Sequence, residues 1–284
     1  MRALYDVAAP AKLNLFLHIT GRRPDGYHLL ESVFMLIDWH DRLHFELRTD
    51  ACVTRKDLAG VELPAEDLMV KAARALQRAT GCALGVDMAV EKRIPAEAGM
   101  GGGSSDAAST LMALNRLWRL NLTRRQLQHI GLSLGADVPF FLCGSSAWVS
   151  GIGEKIEPLL GENALARRQF VVVKPQAGLE TRKIFSDPAL KRDSEHATLA
   201  VFAADQFGFG RNDLQPVAEG LQPEVKKAID WLKHFKMHAR MTGSGSAVFA
   251  QREQAFEFVG APSSWQVRVC ENLDTHPLKD WVSD

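Results

Sequence analysis

The sequence predicts an α+β protein of two domains. Its 284 residues are long for one domain, and a hydrophobic content of 46% is ample for two packed cores. Segments with the two-residue alternation of half-buried strands occur in both halves. They are interleaved with segments whose apolar residues recur at helical three- and four-residue steps. Between the halves the stretch Gly161 to Arg168 is polar and turn-prone, so the expected domains are 1–160 and 161–284.

From Val7 to Thr20 the chain alternates after Pro10, an expected strand with Leu13, Leu15, Leu17 and Ile19 on one face and Lys12, Asn14 and His18 on the other. Pro24, Asp25 and Gly26 predict a turn between Gly21 and His28, after which Leu29 to Trp39 resumes an apolar strand. Leu68, Ala72, Ala75, Leu76 and Ala79 predict a helix within Ala65 to Thr80. Val86, Met88 and Val90 alternate with Asp87, Ala89 and Glu91 in a strand that Pro95 stops. Ala107, Ala108, Leu111, Leu114, Leu117 and Trp118 form the buried stripe of a helix, with Ser104 or Ser105 as its expected N-cap. Thr123 and Gln126 form a capping box for a helix through Leu127, Ile130 and Leu134 that closes at Gly135. In the second half the pattern predicts a strand at Phe170 to Lys174 and one helix carrying Val217, Leu221, Val225, Ile229 and Leu232. A strand pair around Met241 to Ser246, a short helix near Phe256 and a strand at Val267 to Cys270 follow.

Composition narrows the function. Lys plus Arg and Asp plus Glu each number 34, so no basic excess suggests nucleic acid, and the expected partner is a small molecule. The 4 cysteines are scattered without a C-x-x-C, against a zinc site or disulfide framework and for a reducing cytoplasm. No run of 18 apolar residues and no apolar leader appears, so no membrane partner is expected. His40 with His44, and His234 with His238 at helical i,i+4 spacing, lack further ligands and are expected at the surface.

The stretch Pro95 to Ala108, P-A-E-A-G-M-G-G-G-S-S-D-A-A, carries the chemistry. Gly99, Gly101, Gly102 and Gly103 let main-chain N–H groups converge without a Cβ in the way. The loop feeds a helix N-terminus, where free N–H groups and the macrodipole favour a phosphate. The P-loop pattern is absent, and Ser104 replaces the third glycine of the Rossmann pattern. Gly131 to Gly135 satisfies G-x-S-x-G, yet helix precedes the serine where a hydrolase elbow needs a strand.

The glycine–serine stretch resembles the central motif of the GHMP small-molecule kinases, whose long loop wraps the triphosphate of ATP. P-A-K-L-N-L at Pro10 to Leu15 is similar to the first motif, as the isoprenoid-pathway members carry it. M-T-G-S-G-S at Met241 to Ser246 is similar to the third, and G-A-D-V-P-F-F at Gly135 to Phe141 to the segment holding the catalytic aspartate. D-G-Y-H at Asp25 to His28 brings the resemblance nearest to members acting on a cytidine diphosphate alcohol.

The resemblance implies an N-terminal domain like ribosomal protein S5 domain 2 and a ferredoxin-like C-terminal domain. It implies ATP as co-substrate, with Mg²⁺ in attendance on ligands the sequence does not assign. It also implies catalytic roles for Lys12 and Asp137 and ATP contacts from Pro95, Gly99, Met100, Gly101, Gly102, Gly103, Ser104 and Ser105. Substrate contacts fall to Asn14, Tyr27, His28, Thr181 and Phe185: an aromatic sandwich for the base, with His28 reading its edge. Glu97, where small residues are usual, and Met100, where Leu is usual, depart from the pattern. Two alternatives stay open at this point: a GHMP kinase for a mevalonate-type substrate, and a non-catalytic nucleotide-binding protein on the same fold.

Overall fold

In the computed structural model, which describes residues 1–60, 63–254 and 257–284, the alternating segments of the first half pair into one mixed sheet. Strands β1 (Ala3–Arg22) and β2 (His28–Arg48) form a long antiparallel hairpin across the predicted turn. The other edge of β2 then pairs with strands made later in the chain. β3 (Val53–Asp57) leads through helix α1 (Leu68–Thr80) to β4 (Gly85–Glu91), which lies parallel to β3 and antiparallel to β2. Helices α2 (Gly102–Leu117), α3 (Arg124–Leu132) and α4 (Val138–Cys143) follow, then β5 (Ala147–Gly151) and β6 (Lys155–Pro158) complete the sheet.

Local chemistry fixes the helix ends. Asp67 caps α1 by accepting from the Val70 N–H, and Gly81 ends it in the left-handed region. Thr123 and Gln126 make both bonds of the predicted capping box on α3. Helix α2 runs through the middle of the first core, among Val90, Met69, Leu127 and Phe140, so its small residues are buried almost all round.

The second half forms a separate antiparallel sheet of 4 strands: β7 (Gln169–Lys174), then β8 (Arg240–Met241), β9 (Val248–Arg252) and β10 (Gln266–Glu271), in the order β10-β7-β9-β8. Between β7 and β8 lie α5 (Thr181–Ser186), α6 (Leu199–Ala204), α7 (Gln215–Leu221) and α8 (Pro223–His234). One apolar cluster, with Leu13, Leu15, Phe16, Phe170 and Phe249, joins the two halves, and another, with Val171, Ile229 and Leu232, packs under the second sheet.

Residues 272–282 cross back to the first layer. Leu278 and Val282 join its core, and Leu273 N–H bonds the Leu36 carbonyl at 2.9 Å. Arg124 holds this returning segment through the Lys279 and Val282 carbonyls at 2.9 Å each and reaches the Leu142 carbonyl at 2.8 Å.

Four expectations need correction. The N-cap of α2 is Gly101, at φ 72°, not Ser104 or Ser105: the loop turns into the helix within the glycine run itself. The faces of β1 are not continuous. A register shift between Asn14 and Leu17 adds one residue to β1, so Leu13 and Leu15 pack in the central cluster while Leu17 and Ile19 pack under the second sheet. The predicted helix through Val217 and Leu232 is two helices, because Pro223 starts α8 and Gln222 before it is extended. Helix α8 ends at His234, so His234 and His238 do not share one helical face. The expected short helix near Phe256 falls at residues outside those described.

Candidate active site

The glycine loop before α2, the turn at Gly243 to Gly245, the Ala136–Asp137 turn and β1 converge on one cavity of about 930 Å³. The loop before α2 is laced to its neighbours by main-chain bonds. Lys12 N–H donates to the Met100 carbonyl at 3.0 Å, Ser246 N–H to Glu97 at 3.0 Å, and Ala247 N–H to Ala98 at 3.2 Å. The glycines permit that lacing. A Cβ on Gly99 would stand 2.2 Å from the Thr242 carbonyl oxygen, and one on Gly101 would stand 3.0 Å from the Phe141 ring. The result is a backbone cradle held from two sides. Helix α2 makes its first main-chain bond from Ser105 N–H to the Gly101 carbonyl, at 2.9 Å. The N–H groups of Gly102, Gly103 and Ser104 precede it, have no intrahelical acceptor, and belong to residues of the cavity wall.

Lys12 enters from β1 and is buried over the Phe34 ring, 4.4 Å from its centroid. Its ammonium donates to Asn14 Oδ1 at 2.5 Å and stands 3.6 Å from the Asp137 carboxylate. Burial lowers the Lys12 pKa, and the Asp137 charge works against that shift. Asp137 precedes α4 without capping it, which leaves its carboxylate on the cavity side. Asn14 is itself fixed. Its amide donates to the Ser32 hydroxyl at 2.9 Å, and its main-chain N–H donates to the Thr242 hydroxyl at 2.9 Å, tying β1 to the turn after β8.

Of the other predicted residues, Pro95, Gly99, Met100, Gly101, Gly102, Gly103, Ser104, Thr181 and Phe185 line the same cavity. Ser105 does not; its hydroxyl is buried and donates to the Pro10 carbonyl at 2.6 Å, bracing β1 against α2. Tyr27 and His28 are not part of the wall. Tyr27 is exposed at the hairpin tip. His28 begins β2 with its ring beside Phe185, at a centroid distance of 5.1 Å.

Sequence reasoning missed a buried ionic cluster in the floor. The Lys92 ammonium bridges the carboxylates of Asp41 and Asp106, the latter at 2.5 Å, and both Lys92 and Asp106 line the cavity. Asp41 also accepts the main-chain N–H groups of Arg93 and Ile94, at 2.5 Å and 2.8 Å. Burial, with Asp41 adding to it, pushes the Asp106 pKa well up against the opposing pull of Lys92, and Asp106 Oδ1 has no protein partner. The signal for Asp106 lay next to Ser105 inside the glycine–serine stretch. Nothing in the sequence pairs Lys92 with Asp41. Leu63, Pro64 and Leu68, on the approach to α1 and in its first turn, form with Ile94 an apolar flank that the sequence did not single out. No cluster of three metal-ligating side chains occurs among the described residues, and no helix among them is long and apolar enough to cross a membrane.

The GHMP kinases N terminal domain model matches residues 67–145, and the GHMP kinases C terminal model matches residues 193–251. A 4-diphosphocytidyl-2-C-methyl-D-erythritol kinase from Delftia acidovorans (strain DSM 14801 / SPH-1) is 71% identical over 284 residues, covering 100% of this chain and 99% of its own. One from Paracidovorax citrulli (strain AAC00-1) is 63% identical over 284 residues, with 100% and 99% covered. Among solved structures, a 4-(cytidine 5'-diphospho)-2C-methyl-D-erythritol kinase superposes with a TM-score of 0.78 at 31% identity, over 93% of this chain and 98% of that one. The Methanococcus jannaschii mevalonate kinase, at 13% identity and a TM-score of 0.67 over 95% of this chain and 98% of its own, shares the fold.

Proposed function

The chain belongs to the GHMP kinase family, and from that premise we propose how its cavity works. The protein is an ATP-dependent small-molecule kinase that phosphorylates the 2-hydroxyl of 4-diphosphocytidyl-2-C-methyl-D-erythritol, a step of non-mevalonate isoprenoid precursor synthesis. The observation that carries the site assignment is that the Lys12–Asp137 pair, the glycine cradle and Phe185 all face one cavity. A phosphoryl donor and an alcohol can therefore meet at the pair.

In this reading the triphosphate lies on the N–H groups of Gly102, Gly103 and Ser104, with Pro95, Gly99, Met100 and Gly101 shaping the loop and Ser105 bracing it from behind. Asp137 accepts the proton of the attacking hydroxyl. Lys12, oriented by Asn14, holds the carboxylate and offsets charge as the bond to phosphorus forms. Thr181 and Phe185 take the cytidine end, Tyr27 supplies the outer ring of a base sandwich from its exposed position, and His28 reads the edge. Mg²⁺ fits the donor set: a hard cation needs one or two protein oxygens beside substrate phosphates, and Ser104 and the unpartnered Oδ1 of Asp106 are the atoms that would hold it. When bound it neutralises phosphate charge. The domains are assigned as 1–160, carrying the cradle, and 161–284, carrying Phe185. The four free thiols suit a cytoplasmic protein.

The test is ADP release from ATP with the cytidine diphosphate alcohol as acceptor, run beside its uridine counterpart and mevalonate. Turnover with mevalonate and none with the cytidine compound would return the chain to another branch of the family. ATP binding without turnover on any acceptor would leave a non-catalytic nucleotide-binding protein.

A further inference from the structure

Arg192 lies outside the cavity, yet its guanidinium is held at every nitrogen. Nη1 donates to the Leu190 carbonyl at 2.9 Å, and Nη2 to the carbonyls of Phe185 at 3.2 Å and Asp187 at 2.7 Å. Nε donates to His28 Nε2 at 3.0 Å. A guanidinium has only donors, so His28 Nε2 must present its lone pair, and a neutral ring then carries its proton on Nδ1. Burial first, and then the charges of Arg192 and Arg22, lower the pKa of the ring, the direction that favours its neutral form. Nδ1 has no protein partner among the described residues. On β2, His28 and Leu30 share a face, and Leu30 lines the cavity, as does Phe185, against which the His28 ring packs.

We propose that Arg192 is a positioning residue for substrate choice, fixing His28 as the Nδ1–H tautomer so that one in-plane donor stands beside the Phe185 ring of the cavity wall. This rests on the cytidine substrate of the preceding section. The pyrimidines differ where that donor matters: cytosine N3 accepts a hydrogen bond, whereas uracil N3 carries a hydrogen and would meet the donor with another donor. The same guanidinium anchors the carbonyl ends of α5, so the stacking ring and the edge reader are set relative to one another by one side chain.

The test has two arms, on the wild type, Arg192→Lys and Arg192→Met. Nitrogen-15 NMR of the ligand-free protein at pH 7.5, with the His28 signal assigned through His28→Gln, should show Nδ1–H in the wild type and a shift towards Nε2–H in both variants. Steady-state kinetics should show the preference for the cytidine over the uridine diphosphate alcohol falling about tenfold, mainly through KM for the alcohol, with KM for ATP within about twofold of wild type. Arg192→Lys keeps a positive charge without the fork, so a variant that folds well still tests the bond. Wild-type His28 found as the Nε2–H tautomer overturns the proposal, as does undiminished discrimination in a variant whose tautomer has changed. A wild type with the expected tautomer that ignores the cytidine compound would instead sink the function on which the proposal rests.

Discussion

Substitution of Gly103 should move fold stability and ATP affinity in opposite directions. A Cβ built on this glycine would meet nothing nearer than Leu68 Cδ1, at the ordinary contact distance of 3.4 Å. Its backbone is helical, in the first turn of α2. Replacing glycine by alanine in such a place removes a conformational penalty of roughly 0.5–1 kcal/mol, so Gly103→Ala should melt at or above the wild-type temperature. In the complex, the same methyl group would stand among the N–H groups assigned to the triphosphate. Loss of one hydrogen bond to a charged group costs about 1.5–3 kcal/mol, or roughly 10- to 150-fold in Kd. Thermal denaturation without ligand and calorimetric titration with a non-hydrolysable ATP analogue separate the two effects. Gly99 and Gly101 cannot serve, since a side chain there would strike the Thr242 carbonyl or the Phe141 ring in the empty protein. A folded Gly103→Val that binds the analogue within about twofold of wild type would refute the cradle.

Asp137→Asn should lower kcat by about 10²- to 10⁴-fold with both substrates still bound; retention of more than about a tenth of the rate excludes a base role. Phe185→Ala and Tyr27→Ala should each weaken the cytidine substrate by about 1–3 kcal/mol and leave ATP nearly untouched, and equal loss of both ligands would point to a structural role instead. The fully buried His276, whose Nδ1 accepts the Leu278 N–H, titrates at about 3 in the fold because of burial first and Arg124 second, against 6.5 ordinarily. Its folded pKa is depressed, so the unfolded chain takes up a proton as pH falls below 6.5 while the native protein does not, and stability is lost in that direction. By pH 5 the loss should be on the order of 2 kcal/mol. In denaturant titrations His276→Asn, which keeps an acceptor but does not titrate, should flatten that acid slope, and an unchanged slope would assign it to other groups.

Much of this was legible from local pattern. The strand into the glycine loop, the capping box at Thr123 and the edges of β7 and β10 follow from side-chain period and turn chemistry, which are local. Lys12 and Asp137 are 125 positions apart in sequence, and their pairing entered through resemblance, not through any periodicity. The bulge after Asn14 was hidden because β1 is buried on both faces, so an added residue leaves no polar mark. Pro223 was visible but was outvoted by an apolar stripe that continues across the break. The Lys92 cluster could not be found, because a buried ion pair is defined by partners that only the fold brings together.

The return of residues 272–282 to the first layer bears on how the molecule is made. A ribosome working from the N-terminus has delivered β1 to β6 and their helices long before Leu278 and Val282 exist, so that layer must wait with an unfilled seam beside α2 and with Arg124 facing carbonyls not yet synthesised. Contacts of such long sequence separation slow folding, and closure of the cradle helix against its final neighbours becomes one of the last events of biosynthesis. A chain cut short before residue 272 would thus lose part of the wall behind the phosphate loop even though every motif residue was present.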